Sequence, residues 1–245
     1  MTILKGGTLK HSSIEVMHQR AFGDVDKLHF EGVEGIKKLG FSQDEYISQW
    51  PLFAGQVNIA RYIAIYEAFK MVQSLSGHYA DVGTWNGAGF LYIAKLCKIF
   101  EPNTYFQVHA FDWFEGMDKD AGDKSVKYAG SYKNLINLIE QQKLSSKAVV
   151  HKINLIDEIQ QFGNDPIYKS IYYKYIFMDC ANKDVLEKTV PFFWDRLLTG
   201  GIMLFDHFAS DIKDETEIVK EFLPNNIIIK QFPFTRQPMG YAIKA

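Results

Sequence analysis

Cysteine is scarce in this sequence, and charge of one sign is lacking. Only Cys97 and Cys180 occur among the 245 residues. They lie far apart, in apolar surroundings and without metal-ligand spacing, which excludes a disulfide scaffold and favours a reducing cytosol. The formal net charge is only −2, so the basic excess typical of a nucleic-acid groove is missing. We therefore expect a protein that binds no nucleic acid.

Long hydrophobic runs are lacking as well. No apolar segment approaches the length of a membrane-spanning helix, and the first ten residues do not contain the apolar core of a secretion signal. The chain also has no internal repeat and no low-complexity stretch. These absences favour a cytoplasmic protein with no membrane partner.

What the sequence does contain is a regular alternation of helix and strand patterns. The predicted helices cover Val57–Ser74, Gly87–Phe100, Ser131–Lys143, Asp184–Leu198 and Asp211–Phe222, and the predicted strands cover Tyr79–Val82, Phe106–Asp112, Ala148–Ile153, Tyr173–Asp179 and Gly201–Phe205. Such alternation predicts a doubly wound, mostly parallel α/β sheet with helices on both faces. Two last strands, Ile227–Phe232 and Tyr241–Lys244, are joined by a loop too short for a crossover and should form an antiparallel hairpin. Residues 57–245 would form this domain, and residues 1–56 a helical N-terminal extension.

One loop carries most of the functional signal. Asp81-Val82-Gly83-Thr84-Trp85-Asn86-Gly87-Ala88-Gly89 follows a predicted strand and opens a predicted helix. Glycines at such a turn let the backbone approach a ligand, and in open α/β sheets ligands bind beyond the carboxyl ends of the strands. The loop makes Asp81, Gly83, Thr84, Trp85 and Gly87 candidate cofactor-binding residues. The alternative is a glycine-rich turn needed only for packing of the helix on the strand.

The next strand supports a ligand site. It ends in Asp112, 23 residues beyond Gly89, about where a carboxylate should meet the two hydroxyls of a ribose. Trp113 follows directly and is a candidate for the adenine pocket, although an aromatic residue there is also typical of a core. Asn154, after the third strand, is a further candidate contact of the adenine.

Four segments of the chain together resemble the macrocin-type O-methyltransferase family. They are the loop, the Phe111–Gly116 segment, the helix around Arg61 and the stretch from Asp179 to His207. That family is a branch of the class I S-adenosylmethionine-dependent enzymes, and the resemblance covers roughly residues 57–208. It implies S-adenosylmethionine as cofactor and a small hydroxylated acceptor, above all a sugar hydroxyl on a nucleotide-linked or polysaccharide sugar. Family members carry Asp-Gly-Asp where this chain has Asp179-Cys180-Ala181, and two acids where it has Asp206-His207.

The resemblance assigns two alternative chemistries to these positions. In the family the acids hold a divalent metal, so Asp179 and Asp206 are candidate ligands of Mg²⁺, which would lower the pKa of an acceptor oxygen. In the other case His207 takes the proton directly as a general base. Asp179 is thus a candidate for catalysis, for contact with the cofactor and for metal binding.

Other functions compete with this interpretation. A short-chain dehydrogenase has a similar glycine loop, but the only Tyr-x-x-x-Lys pair here, Tyr66 and Lys70, precedes the loop. The chain could also be an S-adenosylmethionine-binding protein without catalysis, or an N-methyltransferase acting on a small molecule. The polar loop Glu115–Gly130 and the N-terminal segment are interpreted as a movable cover over the acceptor, and the aromatic N-terminal helices as a surface that could pair subunits in a homo-oligomer.

Overall fold

A computed structural model describes residues 32–33, 35–116, 129–180, 182–206, 213–235 and 240–245. Within this part of the chain, six strands form one sheet in the order β3-β2-β1-β4-β5-β6. The strands are β1 His78–Val82, β2 Val108–Asp112, β3 Ala148–Lys152, β4 Tyr173–Met178, β5 Leu197–Phe205 and β6 Gly240–Ile243. The first five are parallel to their neighbours and β6 is antiparallel to β5. The predicted α/β class with a largely parallel sheet is confirmed.

Helices connect the strands and cover both faces of the sheet. They are α1 Gln43–Ser48, α2 Trp50–Phe53, α3 Gln56–Met71, α4 Ala88–Phe100, α5 Tyr132–Gln141, α6 Ile159–Asn164, α7 Lys183–Arg196 and α8 Lys213–Phe222. Side-chain caps fix several starts. The Ser42 hydroxyl accepts from the backbone of Glu45 ahead of α1, and the Asn182 side chain accepts from Asp184 ahead of α7. No helix of the described residues is both long and apolar enough to cross a membrane.

The apolar residues of each helix select its face of the sheet. In α3 the fully buried residues Ala64, Ile65, Ala68 and Phe69 recur at helical spacing. Helices α3, α4 and α5 contribute to one core cluster, and α6, α7 and α8 to a second cluster on the other face. The strand β4, central in this arrangement, is buried along its whole length, as expected for a strand covered on both sides.

The predicted terminal hairpin is only partly present. β6 pairs along its length with β5, whereas the segment expected to be a strand at 227–232 meets β6 in a single bridge between Lys230 and Tyr241. Ile228 is largely exposed, and the following Pro233 has no N–H for a ladder. Packing holds the segment instead, since the ring of Phe232 stacks on that of Tyr241 with 4.7 Å between centroids.

Buried polar side chains line the amino-terminal edge of the sheet. The Nζ atom of Lys174 lies 2.8 Å from Glu101 Oε1, and both side chains are almost fully buried. The Tyr79 hydroxyl donates to the same carboxylate oxygen at 2.8 Å. Lys174 also donates to the carbonyl oxygen of Leu75. This group ties the first residues of β1 and β4 to the end of α4.

A row of three histidines crosses β1, β2 and β3. The His109 Nδ1 atom lies 2.9 Å from His151 Nε2, and His109 Nε2 lies 3.1 Å from His78 Nδ1. Burial lowers the pKa of all three imidazoles, that of His109 to about 2 and that of His151 to about 4. The row is therefore uncharged at neutral pH.

Candidate cofactor and acceptor site

Four aspartates lie at the carboxyl-terminal edge of four neighbouring strands. Asp81 belongs to β1 and Asp112 to β2, while Asp179 and Asp206 directly follow β4 and β5. The backbone continues the parallel pattern past the strand ends, because Asp179 N donates to Val82 O at 2.8 Å and Asp206 N donates to Met178 O at 3.0 Å. The strand order reverses between β1 and β4, which is where open α/β sheets bind ligands.

The loop between β1 and α4 starts and ends in a left-handed glycine. Gly83 and Gly87 both have φ of 86°, and Gly87 is the N-cap of α4. A Cβ on Gly83 would lie 2.3 Å from the carbonyl oxygen of Asp179, and one on Gly87 would lie 2.4 Å from a methyl group of Leu135. Both positions therefore require glycine for conformation and for space.

Hydrogen bonds close the loop into a cradle of backbone groups. The Thr84 hydroxyl donates to the carbonyl oxygen of Asp81 at 2.9 Å, and Gly87 N donates to Thr84 O at 2.8 Å. Trp85 has a positive φ of 49° although it is not a glycine, an uncommon conformation that neighbouring contacts must hold. Its indole is substantially exposed. The loop thus presents backbone and an aromatic ring at the edge of the sheet.

The carboxylate of Asp112 holds the second side of this cradle. One oxygen accepts from Trp85 N at 2.7 Å and the other from Phe114 N at 2.6 Å. These bonds lower the pKa of Asp112, but the loss of water around the group outweighs them and the pKa lies above its ordinary value. Each carboxylate oxygen has a second lone pair, so the group can accept further hydrogen bonds. The loop and Asp112 are thus joined directly, and contact of Asp112 with a ribose stays a prediction.

Asp81 is almost fully buried, with 2 % of its surface exposed, as is Asp206. Burial raises its pKa to about 7, against the attraction of Arg61 and with the repulsion of Asp112 and Asp206. A carboxyl group with such a pKa gains its charge when a cation approaches.

Trp113 and Asn154 lie on the side of the sheet where the sequence predicts the adenine. Trp113 directly follows Asp112 and is half-buried. The Asn154 side chain is engaged in its own turn, donating to Asp157 Oδ2 at 2.7 Å and accepting from Ile156 N at 3.0 Å. Contact of either residue with adenine stays a prediction.

The guanidinium of Arg61 lies between Asp179 and Asp206. Arg61 comes from α3, and its Nη2 atom is 2.9 Å from Asp179 Oδ2 while its Nη1 atom donates to Asp206 Oδ1. The guanidinium also lies over the ring of Phe177, 5.1 Å from the centroid. Burial alone would lower the pKa of Arg61, but the two carboxylates outweigh it and raise the pKa. Arg61 is therefore a fixed cation at this edge.

The pKa of Asp179 is raised even though the side chain contacts Arg61. The loss of water around it and the negative charge of Asp206 raise its pKa well above the ordinary value, and Arg61 opposes the shift. The raised pKa favours the protonated form of this carboxyl group. Of its neighbours here, Asp206 is nearly fully buried and Arg61 is 22 % exposed.

The expected Mg²⁺ site is not supported. The two carboxylates expected to share an ion share a guanidinium, and no group of three or more His, Cys, Asp or Glu side chains in the described ranges could hold a metal. His207, the alternative base, lies outside the described residues, as do residues 117–128 of the predicted cover loop.

Arg61 is the residue that the sequence interpretation missed. Its helix entered only as part of a family resemblance, and its partners lie 118 and 145 residues away. The sequence did offer one indication of this contact. It has a basic residue on the helix before the glycine loop, and its metal-site motifs are altered.

Several solved structures share this fold. A structure described as CalS11, a calicheamicin methyltransferase, has a TM-score of 0.75 at 14% identity, covering 87% of this chain and 91% of that chain. A second CalS11 structure, described as a TDP-rhamnose 3'-O-methyltransferase, has a TM-score of 0.71 at 14% identity and covers 87% and 93%. The O-methyltransferase NovP has a TM-score of 0.64 at 14% identity and covers 76% and 80%. No family model matches the chain, and no curated protein matches it significantly. The chain therefore has the fold of class I methyltransferases.

Proposed function

We propose that this chain transfers the methyl group of S-adenosylmethionine to a hydroxyl of a small, sugar-type acceptor. The observation that carries the proposal is the cradle formed by the Gly83–Gly87 loop and Asp112, at the point where the strand order reverses. Three neighbouring structures, one of them named a TDP-rhamnose 3'-O-methyltransferase and another the O-methyltransferase NovP, share this fold over most of their length. Because a fold hosts many functions, the likeness supports the acceptor class only by analogy.

The residues present fit the proposed cofactor. The left-handed glycines Gly83 and Gly87 let the loop backbone lie at the sheet edge without side chains. Asp112 can accept the two hydroxyls of a ribose, and Asp81 can pair with a cationic amino group. Thr84 and Trp85 shape the loop, and Trp113 and Asn154 flank the adenine. When bound, the cofactor supplies a methyl group on a positively charged sulfur.

The protein's own contribution to the reaction is position and proton acceptance. A sugar hydroxyl is a weak nucleophile at neutral pH, so it needs a base and a fixed orientation. Among the described residues, Asp179 is the candidate base, because its carboxyl group lies at this edge of the sheet and its side chain is 29 % exposed. His207 follows Asp206 directly and is the alternative base.

The N-terminal segment, residues 1–56, would cover the acceptor. The described part of this segment packs an aromatic ring next to α3, the helix that carries Arg61. Trp50 lies edge-on to Tyr62 at 6.2 Å between centroids, and Tyr62 follows Arg61 in the chain. Exposed apolar side chains of α1 and α2 could also pair subunits in a homo-oligomer.

Calorimetric titration with S-adenosylhomocysteine tests the cofactor. We expect micromolar binding to wild type, no binding of NADH, and at least about tenfold weaker binding to Asp112→Ala, since two hydrogen bonds to a charged group are lost. Asp112→Asn keeps one oxygen to accept from the loop and should be intermediate. Asp184→Asn, at an exposed helix start, is the matched control. Binding of NADH in place of S-adenosylhomocysteine would contradict the proposal.

Transfer itself is tested by incubating the protein with S-adenosylmethionine labelled on its methyl group and a panel of acceptors. We expect label to pass to nucleotide-linked or free deoxysugars bearing vicinal hydroxyls. Cofactor binding without transfer to any hydroxylated or amino acceptor would favour the non-catalytic alternative. Transfer to amino acceptors alone would favour N-methylation.

A further inference from the structure

The acceptor end of the site contains a fixed cation supplied by the protein. The guanidinium of Arg61 contacts one carboxylate from the end of β4 and another from the end of β5, with 2.9 Å between its Nη2 atom and Asp179 Oδ2. These are the two acids that the resemblance assigns to a metal ion. The position between them is filled by a side chain from α3.

The way Arg61 is held makes this contact more than a surface ion pair. Its guanidinium packs over the ring of Phe177, and the side chain of Asp206 is only 3 % exposed. A planar guanidinium carries donors in fixed directions, so its two ends can serve two carboxylates at once. A pair with one partner almost fully buried is costly to break, because removal of the cation leaves an uncompensated charge.

A guanidinium and a divalent cation cannot both occupy this position. Mg²⁺ requires oxygen ligands at about 2.0–2.1 Å in octahedral geometry. That arrangement would place the ion where the Nη atoms of Arg61 now contact Asp179 and Asp206. Two like charges in one small space repel, so the bound guanidinium disfavours the ion.

We propose that Arg61 takes the place of a divalent cation between Asp179 and Asp206, and that the acceptor site of this chain works without a metal ion. The inference rests on the proposed methyl transfer. Arg61 is a positioning residue that neutralises Asp206 and fixes the carboxylate of Asp179 next to the acceptor. In the reaction, the bond from the acceptor oxygen to the methyl carbon forms, the bond from that carbon to sulfur breaks, and the hydroxyl proton passes to the protein base.

Binding of Mn²⁺ alone, followed by electron paramagnetic resonance of the free ion, tests the proposal on the full chain. Wild type should show no site-specific binding. Arg61→Met, which keeps much of the side-chain length without charge, should bind Mn²⁺ at least about tenfold more tightly than wild type, because two carboxylates are then left close together. Arg61→Met/Asp206→Asn should lose that gain, and Arg61→Lys should bind the ion no better than wild type.

Two results would overturn the proposal. One is binding of Mn²⁺ to wild type that disappears in Asp179→Asn, which would show that an ion displaces the guanidinium. The other is a folded Arg61→Met protein that gains no binding, which would show that the position is unsuited to an ion.

A parallel titration of each sample with S-adenosylhomocysteine keeps this test separate from the proposed function. If wild type did not bind S-adenosylhomocysteine, the proposed cofactor would be wrong. The Mn²⁺ result would still be interpreted by itself. Should Arg61→Met fail to fold, Arg61→Gln supplies the neutral variant, since its amide can still donate to one carboxylate.

Discussion

The two edges of the sheet both bury charge, but they balance it differently. At the amino-terminal edge, Lys174 and Glu101 form a close pair, joined by the hydroxyl of Tyr79. At the carboxyl-terminal edge, within the described residues, Asp81, Asp179 and Asp206 share the field of Arg61. The first edge pairs its buried acid with a cation and also buries the ammonium of Lys147, which donates to Thr104 Oγ1 at 3.0 Å, whereas the second edge has an excess of acids.

This difference separates a structural network from a functional one. The pair of Lys174 and Glu101 joins β4 to the end of α4 and so fixes that helix against the sheet. Loss of water, and then repulsion between the acids, raises the pKa of Asp81 and of Asp179. Perturbed carboxyl groups in a cleft are typical of ligand and catalytic sites. The excess also matches a cofactor that carries positive charges on its amino group and its sulfur.

Lys174→Met should produce the largest effect, because it leaves Glu101 buried without its cation. We expect a loss of about 3–5 kcal/mol in the free energy of unfolding, measured by urea denaturation. Affinity for S-adenosylhomocysteine should stay within about twofold in the folded protein, since additivity holds for separate sites.

The double variant Lys174→Met/Glu101→Gln is the control for this edge. It removes both charges and should recover much of the lost stability. If the single variant were as stable as wild type, the amino-terminal edge would not depend on its charge balance.

Gly83→Ala should affect the carboxyl-terminal edge of the sheet, and its main effect should be weaker ligand binding. Its Cβ would collide with the carbonyl oxygen of Asp179 at 2.3 Å, so we expect S-adenosylhomocysteine binding to weaken by at least about tenfold, with about 1–3 kcal/mol of strain. Gly200→Ala is matched, since Gly200 also has positive φ, at 79°, but its nearest neighbour is a Leu75 methyl group at 3.6 Å. Equal loss of binding in both variants would show that the collision is irrelevant.

The pH dependence of S-adenosylhomocysteine binding tests the protonation of Asp81. Asp81 has a pKa of about 7, so below that pH it must release a proton before it can pair with a cationic amino group. Affinity for S-adenosylhomocysteine should therefore fall by up to about tenfold per pH unit below 7 and level off above 8. Calorimetry at pH 6 in buffers of different ionisation enthalpy should detect about one proton released. Asp81→Asn should abolish this release, and a wild type that releases none would refute the assignment.

Glu115→Gln should produce the smallest effect. Glu115 contacts Lys152 at the carboxyl-terminal edge, and both side chains are about half exposed. Exposed ion pairs contribute little, so we expect a change within about 0.5 kcal/mol in urea denaturation and unaltered cofactor affinity. A larger change in the free energy of unfolding would mean that the contribution of this ion pair depends more on its position at the edge than on its burial.

The sequence predicts those parts of the molecule that depend on local pattern. The alternation of apolar runs and turns predicts β1 to β5, and the glycine spacing with Asp112 predicts the cradle. The strand expected at 227–232 is reduced to a single bridge at Lys230, and the segment contains the exposed Ile228. The short helix α6 is absent from the sequence interpretation, since six residues carry too little periodicity.

The Arg61 contact could not be predicted from local pattern at all. It joins a helix that precedes the sheet to the ends of two strands far along the chain. Only the strand order, with β4 and β5 next to each other beyond β1, brings these residues together. The placement of Asp179 and Asp206 on neighbouring strands is confirmed, while their expected ion is replaced by a side chain.

The histidine row has a consequence for the tautomers of its three rings. The backbone N–H of Gln107 donates to His78 Nδ1, so this nitrogen accepts and the neighbouring His109 Nε2 must carry a hydrogen. His109 Nδ1 then accepts from His151 Nε2, because a neutral imidazole has one donor and one acceptor. All three rings are thus protonated on Nε2, and the N–H groups of His151 and His109 both point from β3 towards β1. Nitrogen chemical shifts would show one shared tautomer, set by a single amide at the start of β2.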